Sequence, residues 1–554
     1  MMIDNISKKT VAAVLVLAAL SFYLFFFRLG AFALTDPDET FYAQTAKEMV
    51  DRGEWHTPYL YGKPQFEKPI LLYWLVEASF RAFGVNEFAA RLPSAVFALF
   101  GIMAIYFLGS LLFNKRVGML SAVILAASVE YVVLSRACVT DMVLTVFMLL
   151  GALLFFYGQI RNKAYYYILS GGFFALAVLT KGPVAIMLPA VAIGLYLLFV
   201  RDFRIFKSMS LVWIALAFII VAAPWYILMY KIHGNSFIDA FFGFHNVNRF
   251  LEAEHKIGSQ WYYNIPIVFG GFFPWSVFLP FGLWHAFKKS FRNSSPENGH
   301  LVFAALWFFV IFIFFSISST KLPTYIFPSF IGLALIVAVL WDDLLQKTVE
   351  KSIVLGMKIS QYLLLVVVIV GSIGALIYLK FDYPSILPGI AIGCALLIIG
   401  MILSTAAFAK KIYARAFLLI VCSVLAFAYP MSALVLPQIE RFETSKEISE
   451  VLSTVMKKGE ALGCESNYQE GLAFYTGVFP VNIDKHHDLV NFMGSKERIW
   501  CVLKEKNYNQ LYDLDTKPFY TKPSFMIYKL GKKAVVTNKM PEDGKYILMR
   551  ERTK

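Results

Sequence analysis

The sequence predicts an α-helical polytopic membrane protein with a small α/β domain at its C-terminal end. Three observations carry this reading. Hydrophobic residues make up 58% of the 554-residue chain and charged residues only 16%, against about 25% charged in soluble domains. Long apolar runs alternate with short polar connectors. Lysine and arginine gather in every second connector, so the formal net charge of +14 is explained by membrane topology and calls for no nucleic-acid partner.

The elements follow in order. A first span over 10–33 has Lys8 and Lys9 before it, which places the N-terminus in the cytoplasm. Ala31-Phe32-Ala33 resembles a signal-peptidase site, but Arg28 interrupts the apolar run, so the segment reads as a retained span. The second span, 89–113, ends at Asn114-Lys115-Arg116. The third, 117–134, leads to Ser135–Asp141, and the fourth returns to Arg161-Asn162-Lys163. The fifth ends at Thr180-Lys181-Gly182-Pro183, and the sixth returns to Arg201, Arg204 and Lys207. The seventh, 209–230, opens a polar segment over 231–262. The eighth comes back to Lys288, Lys289 and Arg292. The ninth, 301–318, leads to Ser319–Thr324, and the tenth returns to Trp341–Lys351. Two more flank a turn at Phe381–Ser385, and a last span runs from beyond Arg415 to Pro437. The count is about thirteen, with the C-terminus outside.

Residues 1–437 therefore read as the membrane domain, with exported loops at 34–88 and 231–262. The remainder, 438–554, alternates helical patterns (Ser445–Lys458, Gln469–Thr476, His486–Met493) with strand patterns (Glu460–Cys464, Arg498–Leu503, Ser524–Leu530). Of the five cysteines, Cys138, Cys394 and Cys422 sit in or near spans as packing residues. Cys464 and Cys501 lie on exported strands and are open to either reading, a disulfide or two unpaired core thiols.

The segment from Leu34 to Pro69 stands out. Asp36, Asp38, Glu39, Glu48, Asp51, Glu54, Glu67 and Lys68 follow the first span directly. Asp141 leaves the third span on the same, non-cytoplasmic face. An aspartate at the edge of an apolar helix is costly in lipid, so it faces a cavity. There it can act as a general base or hold a divalent cation; a solvated helix cap is the plainer alternative. Lys68, Lys181 and Lys321 each sit beside or near a proline (Glu67-Lys68-Pro69, Lys181-Gly182-Pro183, Lys321-Leu322-Pro323). Ammonium groups converging at a membrane surface suit a phosphate, while any one of them alone fits interfacial snorkelling. His245, Arg249 and Tyr325 fall on the same face and suit a phosphate or sugar. Trp261, Tyr262, Tyr263 and Trp275 read as an interfacial aromatic belt.

Pro37-Asp38-Glu39-Thr40-x-Tyr42-Ala43, Phe66-Glu67-Lys68-Pro69 and Tyr73-Trp74 resemble the lipid A aminoarabinose transferases. These belong with the protein O-mannosyltransferases among the GT-C membrane glycosyltransferases, which use polyprenyl-phosphate sugars. Asp141, Leu179-Thr180-Lys181-Gly182, the His245–Phe250 segment and Lys321-Leu322-Pro323-x-Tyr325 extend the similarity in the same order, over roughly residues 1–440. The resemblance implies thirteen transmembrane helices, a periplasmic C-terminal domain and a bacterial inner-membrane location. It implies transfer from an undecaprenyl-phosphate sugar, with inversion, to lipid A or another periplasmic acceptor. By motif, Asp38 and Asp141 are the expected catalytic acids. Glu39, Lys68, Lys181, His245, Arg249, Lys321 and Tyr325 are expected to bind substrate or phosphate. A divalent metal, zinc or magnesium, at Asp38 and Asp141 is compatible with the family. One departure stands out: the aminoarabinose transferases usually carry Arg after Asp-Glu-Thr, where this chain has Phe41. A flippase for a lipid-linked sugar is the alternative from another class. It would show internal repeats with mid-span charges, and the sequence has no clear repeat.

Overall fold

The structure, a computed structural model, describes residues 8–207, 209–248, 260–292, 296–494, 497–504, 525–530 and 533–537. The chain divides into two compact units, one of Met1–Leu29, Phe66–Leu75 and Arg91–Ser432, the other of Gly30–Gln65, Val76–Ala90 and Ala433–Lys554.

The first unit is a helical bundle. Among the described residues, eight helices are long and apolar enough to cross a membrane: Glu87–Leu112, Thr140–Arg161, Ser210–His233, Asn298–Ile317, Pro323–Leu345, Lys351–Phe381, Pro384–Ala409 and Tyr413–Ile439. Their burial sorts them. Pro323–Leu345 is 89% buried and Thr140–Arg161 72%, so these two are central. Ser210–His233 is only 11% buried and Lys351–Phe381 17%. Their exposed faces carry residues such as Ile219, Ile220 and Val370, and continuous apolar surface of this kind belongs in lipid. The chain is thus a multi-pass helical membrane protein. Small residues let backbones approach without a side chain between them. A Cβ on Gly332 would strike the Ala304 carbonyl, and one on Gly171 would strike that of Ile214.

Two expected spans are broken. Lys115–Ala126 and Val129–Ser135 meet at 68°, and Asn264–Gly271 and Trp275–Ser290 at 111°. Ser128, in extended geometry, separates the first pair. Gly270-Gly271 and Pro274 interrupt the second, glycine and proline being poor helix-interior residues. The two breaks touch: the Val129 amide donates to the Phe273 carbonyl at 3.1 Å.

In the second unit, the helix Asp38–Arg52 stops at Gly53, whose φ of 68° closes the C-terminus. A two-residue hairpin, β1 (Tyr59–Leu60) with β2 (Lys63–Pro64), follows. Glu48 holds it, accepting from the Tyr61 and Gly62 amides at 2.8 and 2.9 Å. The C-terminal part forms a five-stranded sheet of β3 (Ala461–Cys464), β4 (Val481–Asn482), β5 (Ile499–Lys504), β6 (Phe525–Leu530) and β7 (Lys533–Thr537), in the order β4-β3-β5-β7-β6. β3 is parallel to β4 and β5, while β7 is antiparallel to β5 and β6. Alternation along β5 sends Trp500 and Val502 to one core, with Ile448, Leu452 and Leu472 of the covering helices. It sends Ile499, Cys501 and Leu503 to the other, with Leu489 and Met493.

That alternation decides the cysteine question. The register pairs Gly463 with Cys501 and Cys464 with Val502. Neighbouring positions one residue out of register point to opposite faces, so Cys464 and Cys501 belong to different cores and both are free thiols. The disulfide alternative is excluded.

Candidate functional site

Helices Thr140–Arg161 and Ala164–Lys181 form an antiparallel hairpin turned by Asn162, which adopts the left-handed conformation at φ 51°. A hairpin of two helices of similar length returns the end of the second to the start of the first. Asp141 in the first turn of one therefore meets Lys181 in the last turn of the other. Each sits at the helix end whose dipole favours its charge. Lys181 Nζ lies 2.5 Å from Asp141 Oδ1, with the side chains only 11% and 7% exposed. This is a buried ion pair. Tyr325, in the 3₁₀ turn Pro323–Ser329, completes the group: Lys181 Nζ stands 4.4 Å from the centre of its ring, a cation–π distance. Three residues from three separate stretches of sequence thus converge.

Lys321, two residues before the turn, is buried, and burial lowers the proton affinity of its ammonium. Lys68 pairs with its neighbour Glu67 at 2.9 Å. Phe66 holds this stretch against the segment after the Ser210–His233 helix, with its ring 5.0 Å from that of His233 and 5.5 Å from that of Phe237. His245 lies within the helical turn Asp239–Asn248, and Arg249 lies outside the described residues.

In the other unit, Asp38 and Glu39 form the first turn of Asp38–Arg52, where the helix dipole favours acids. Asp38 is exposed. Glu39 is buried and accepts from the Thr35 amide at 3.0 Å. That bond makes Glu39 a helix-start residue as well as a candidate for substrate. Phe41 packs edge-on against Tyr42.

One residue escaped the sequence reading. Glu130 is buried beside the break in the third span, and neither of its carboxylate oxygens has a partner among the described residues. It fills the space left by the missing side chain of Gly271, and Asp141 is its electrostatic neighbour. The available signal was an acid inside an apolar run, which is rare without a function.

The donor set around Asp141 does not fit a divalent metal. A lysine ammonium occupies the position next to its carboxylate, and no cluster of three His, Cys, Asp or Glu side chains suited to a metal occurs among the described residues. What the group can do is hold an anion beside Lys181 and offer a carboxylate to a hydroxyl or to a developing positive charge.

Residues 67–227 match the family described as dolichyl-phosphate-mannose-protein mannosyltransferase. A protein of Aquifex aeolicus without an assigned function is 33% identical over 58% of this chain and 71% of its own length. The undecaprenyl phosphate-alpha-4-amino-4-deoxy-L-arabinose arabinosyl transferase 2 of Proteus mirabilis is 29% identical over 64% of this chain and 63% of its own. The crystal structure of ArnT from Cupriavidus metallidurans, bound to undecaprenyl phosphate, superposes with a TM-score of 0.77 at 20% identity, over 96% of this chain and 98% of that one, which establishes the fold. The chain has the fold of ArnT and is similar in sequence to membrane glycosyltransferases whose names specify polyprenyl-phosphate sugars as donors.

Proposed function

We propose that the chain transfers a sugar, aminoarabinose or a close relative, from undecaprenyl phosphate to lipid A at the periplasmic face of a bacterial inner membrane. The relatives named above support the donor. The observation that carries the reading for this chain is the Asp141–Lys181–Tyr325 group, of which Asp141 and Lys181 lie at helix ends within the family-matched region.

The mechanism follows from the chemistry of the donor. The bond broken joins the anomeric carbon to the carrier phosphate, and the leaving group gains negative charge. Lys181, with Lys68 and Lys321, supplies the cations that stabilise that charge as it develops. Attack from the opposite face inverts the anomeric carbon. If the acceptor is a lipid A phosphate it is already ionised, and Asp141 then orients it and stabilises positive charge on the sugar ring. If the acceptor is a hydroxyl, Asp141 takes its proton. By sequence motif His245 and Arg249 are further candidates for binding the phosphate or sugar. Phe41 removes a guanidinium that the aminoarabinose transferases carry, so the acceptor or sugar substituent it would touch is the feature on which this enzyme diverges.

Thirteen spans underlie this reading. The eight long helices, the two bent pairs and the shorter apolar helices Thr10–Phe26 and Val184–Val200 are joined by Ala164–Lys181. Cytoplasmic Lys115, Arg116, Lys288 and Lys289 set the N-terminus inside and residues 438–554 in the periplasm. The test is mass spectrometry of lipid A from cells with and without the gene. Aminoarabinose-modified lipid A should be present only with it. Identical lipid A in both, with a change in another surface glycan, would move the acceptor elsewhere.

A further inference from the structure

The Pro323–Leu345 span starts beside Tyr325 and ends at Asp342 and Asp343, roughly 25 Å along the helix. At that far end the bundle forms an open cavity of about 590 Å³. We propose that it binds a phosphate group, carried by a membrane lipid headgroup, at the face opposite the transfer site.

Three cations, Arg116, Lys288 and Lys289, and one imidazole, His285, shape the cavity. His285, Lys288 and Lys289 share one face of the helix Leu279–Arg292, at i, i+3 and i+4. Arg116 faces them from the first turn of Lys115–Ala126. Asp342 and Asp343 stand in the last turn of their helix, where the dipole disfavours acids. Their place is explained by the basic groups they hold. Arg116 Nε donates to Asp342 at 2.8 Å, Lys289 Nζ to Asp343 at 2.7 Å, and His285 Nε2 faces Asp343 at 2.7 Å. Lys288 donates to Glu350 at 2.9 Å.

These pairs leave donors over. A guanidinium has five N–H groups and an ammonium three. Among the described residues Arg116 uses only Nε, and each lysine makes one bond. The Arg116 side chain is 62% exposed, that of Lys288 41% and that of Lys289 31%. Their remaining N–H groups can therefore reach a phosphate without breaking the existing pairs. The acids fix the cations in place, which reduces the ordering that binding would otherwise require. Lys288 also stands 5.4 Å from the ring centre of Trp284, which is itself exposed. An exposed tryptophan beside a lysine marks headgroup depth, and basic pockets between transmembrane helices suit lipid phosphates. This favours a lipid over free phosphate as the source.

The test is native mass spectrometry of the detergent-purified full chain, titrated in separate arms with phosphatidylglycerol, inorganic phosphate and diacylglycerol. Wild type should retain phosphatidylglycerol and not diacylglycerol. Lys288→Gln and Lys289→Gln should each weaken retention roughly tenfold, as expected for losing one charge-assisted contact. Lys288 pairs only at an exposed position and Asp343 keeps His285, so both variants retain the fold, checked by an unchanged melting temperature. Retention of inorganic phosphate alone, lost in the same variants, would assign the site to free phosphate and overturn the lipid source. Equal binding of diacylglycerol, or binding that neither variant alters, would overturn the phosphate site itself.

Discussion

Asp141 and Lys181 form an ion pair in direct contact inside the helical bundle. Because both side chains are buried, each depends on the other. Removing one partner of such a pair leaves an uncompensated charge and costs about 3–5 kcal/mol. Lys181→Met should therefore lower the thermal stability of the purified protein as well as abolish transfer. An unchanged melting temperature would show that water reaches the pair. Both residues were legible in the sequence, since an aspartate at a helix exit and a lysine before Gly-Pro are exceptions in an apolar chain. Glu130 was not, because it lies within an apolar run whose bend at Ser128 has no period of its own. The inward turn of Glu39 was hidden for a different reason: acids in the first turn look alike whether they serve the helix or a ligand.

At the scale of single elements, the second unit offers two predictions. Asp36 accepts from Ser445 Oγ at 2.5 Å and from Thr40 Oγ1 at 2.9 Å. These bonds favour the ionised form, but burial opposes them more strongly and pushes the carboxyl up to about 7. Its value in the unfolded chain is about 3.9. A folded value raised in this way gives stability that is complete below about pH 4 and is lost as pH rises through about 7. Protection factors of the amides in the helices Asp38–Arg52 and Lys446–Val455, which remove the intrinsic rise of exchange with pH, should fall between about pH 4 and about pH 7, and Asp36→Asn should flatten that slope. An unaltered slope in the variant would assign it to another group. The second prediction concerns Cys464 and Cys501. Their thiols should alkylate fully once the protein is unfolded without reductant, and the protein should run identically on reducing and non-reducing gels. A mobility difference would contradict the register of β3 and β5. The strand patterns at 460–464 and 498–503 made these strands legible. β7 was missed because Lys533–Thr537 is a short run between charged stretches, and the register could not be read from either strand alone.

For the whole molecule, the apolar runs and the distribution of lysine and arginine made the membrane class legible from composition. The two bends were not legible, because the hydropathy of a run does not reveal a break inside it. Nor was the grouping of residues 30–65 with the C-terminal segment, which rests on contacts distant in sequence such as the Leu34 amide donating to Tyr475 Oη at 2.8 Å. The orientation is tested by single cysteines placed at 55, 240, 480, 115 and 290 in a cysteine-free background. A membrane-impermeant maleimide should label the first three in intact cells and leave the last two unlabelled until lysis. Labelling at 115 in intact cells would place the far cavity and the Asp141–Lys181 pair on the wrong sides.

The central claim is that Asp141, held by Lys181, drives release of a sugar from its lipid phosphate. The most direct measurement is turnover of undecaprenyl-phosphate aminoarabinose by purified wild-type and Asp141→Asn protein in proteoliposomes containing lipid A. Wild type should release undecaprenyl phosphate and modify lipid A, and the variant should fall by about 10²-fold or more. No release by wild type, or equal rates for the two proteins, would contradict it.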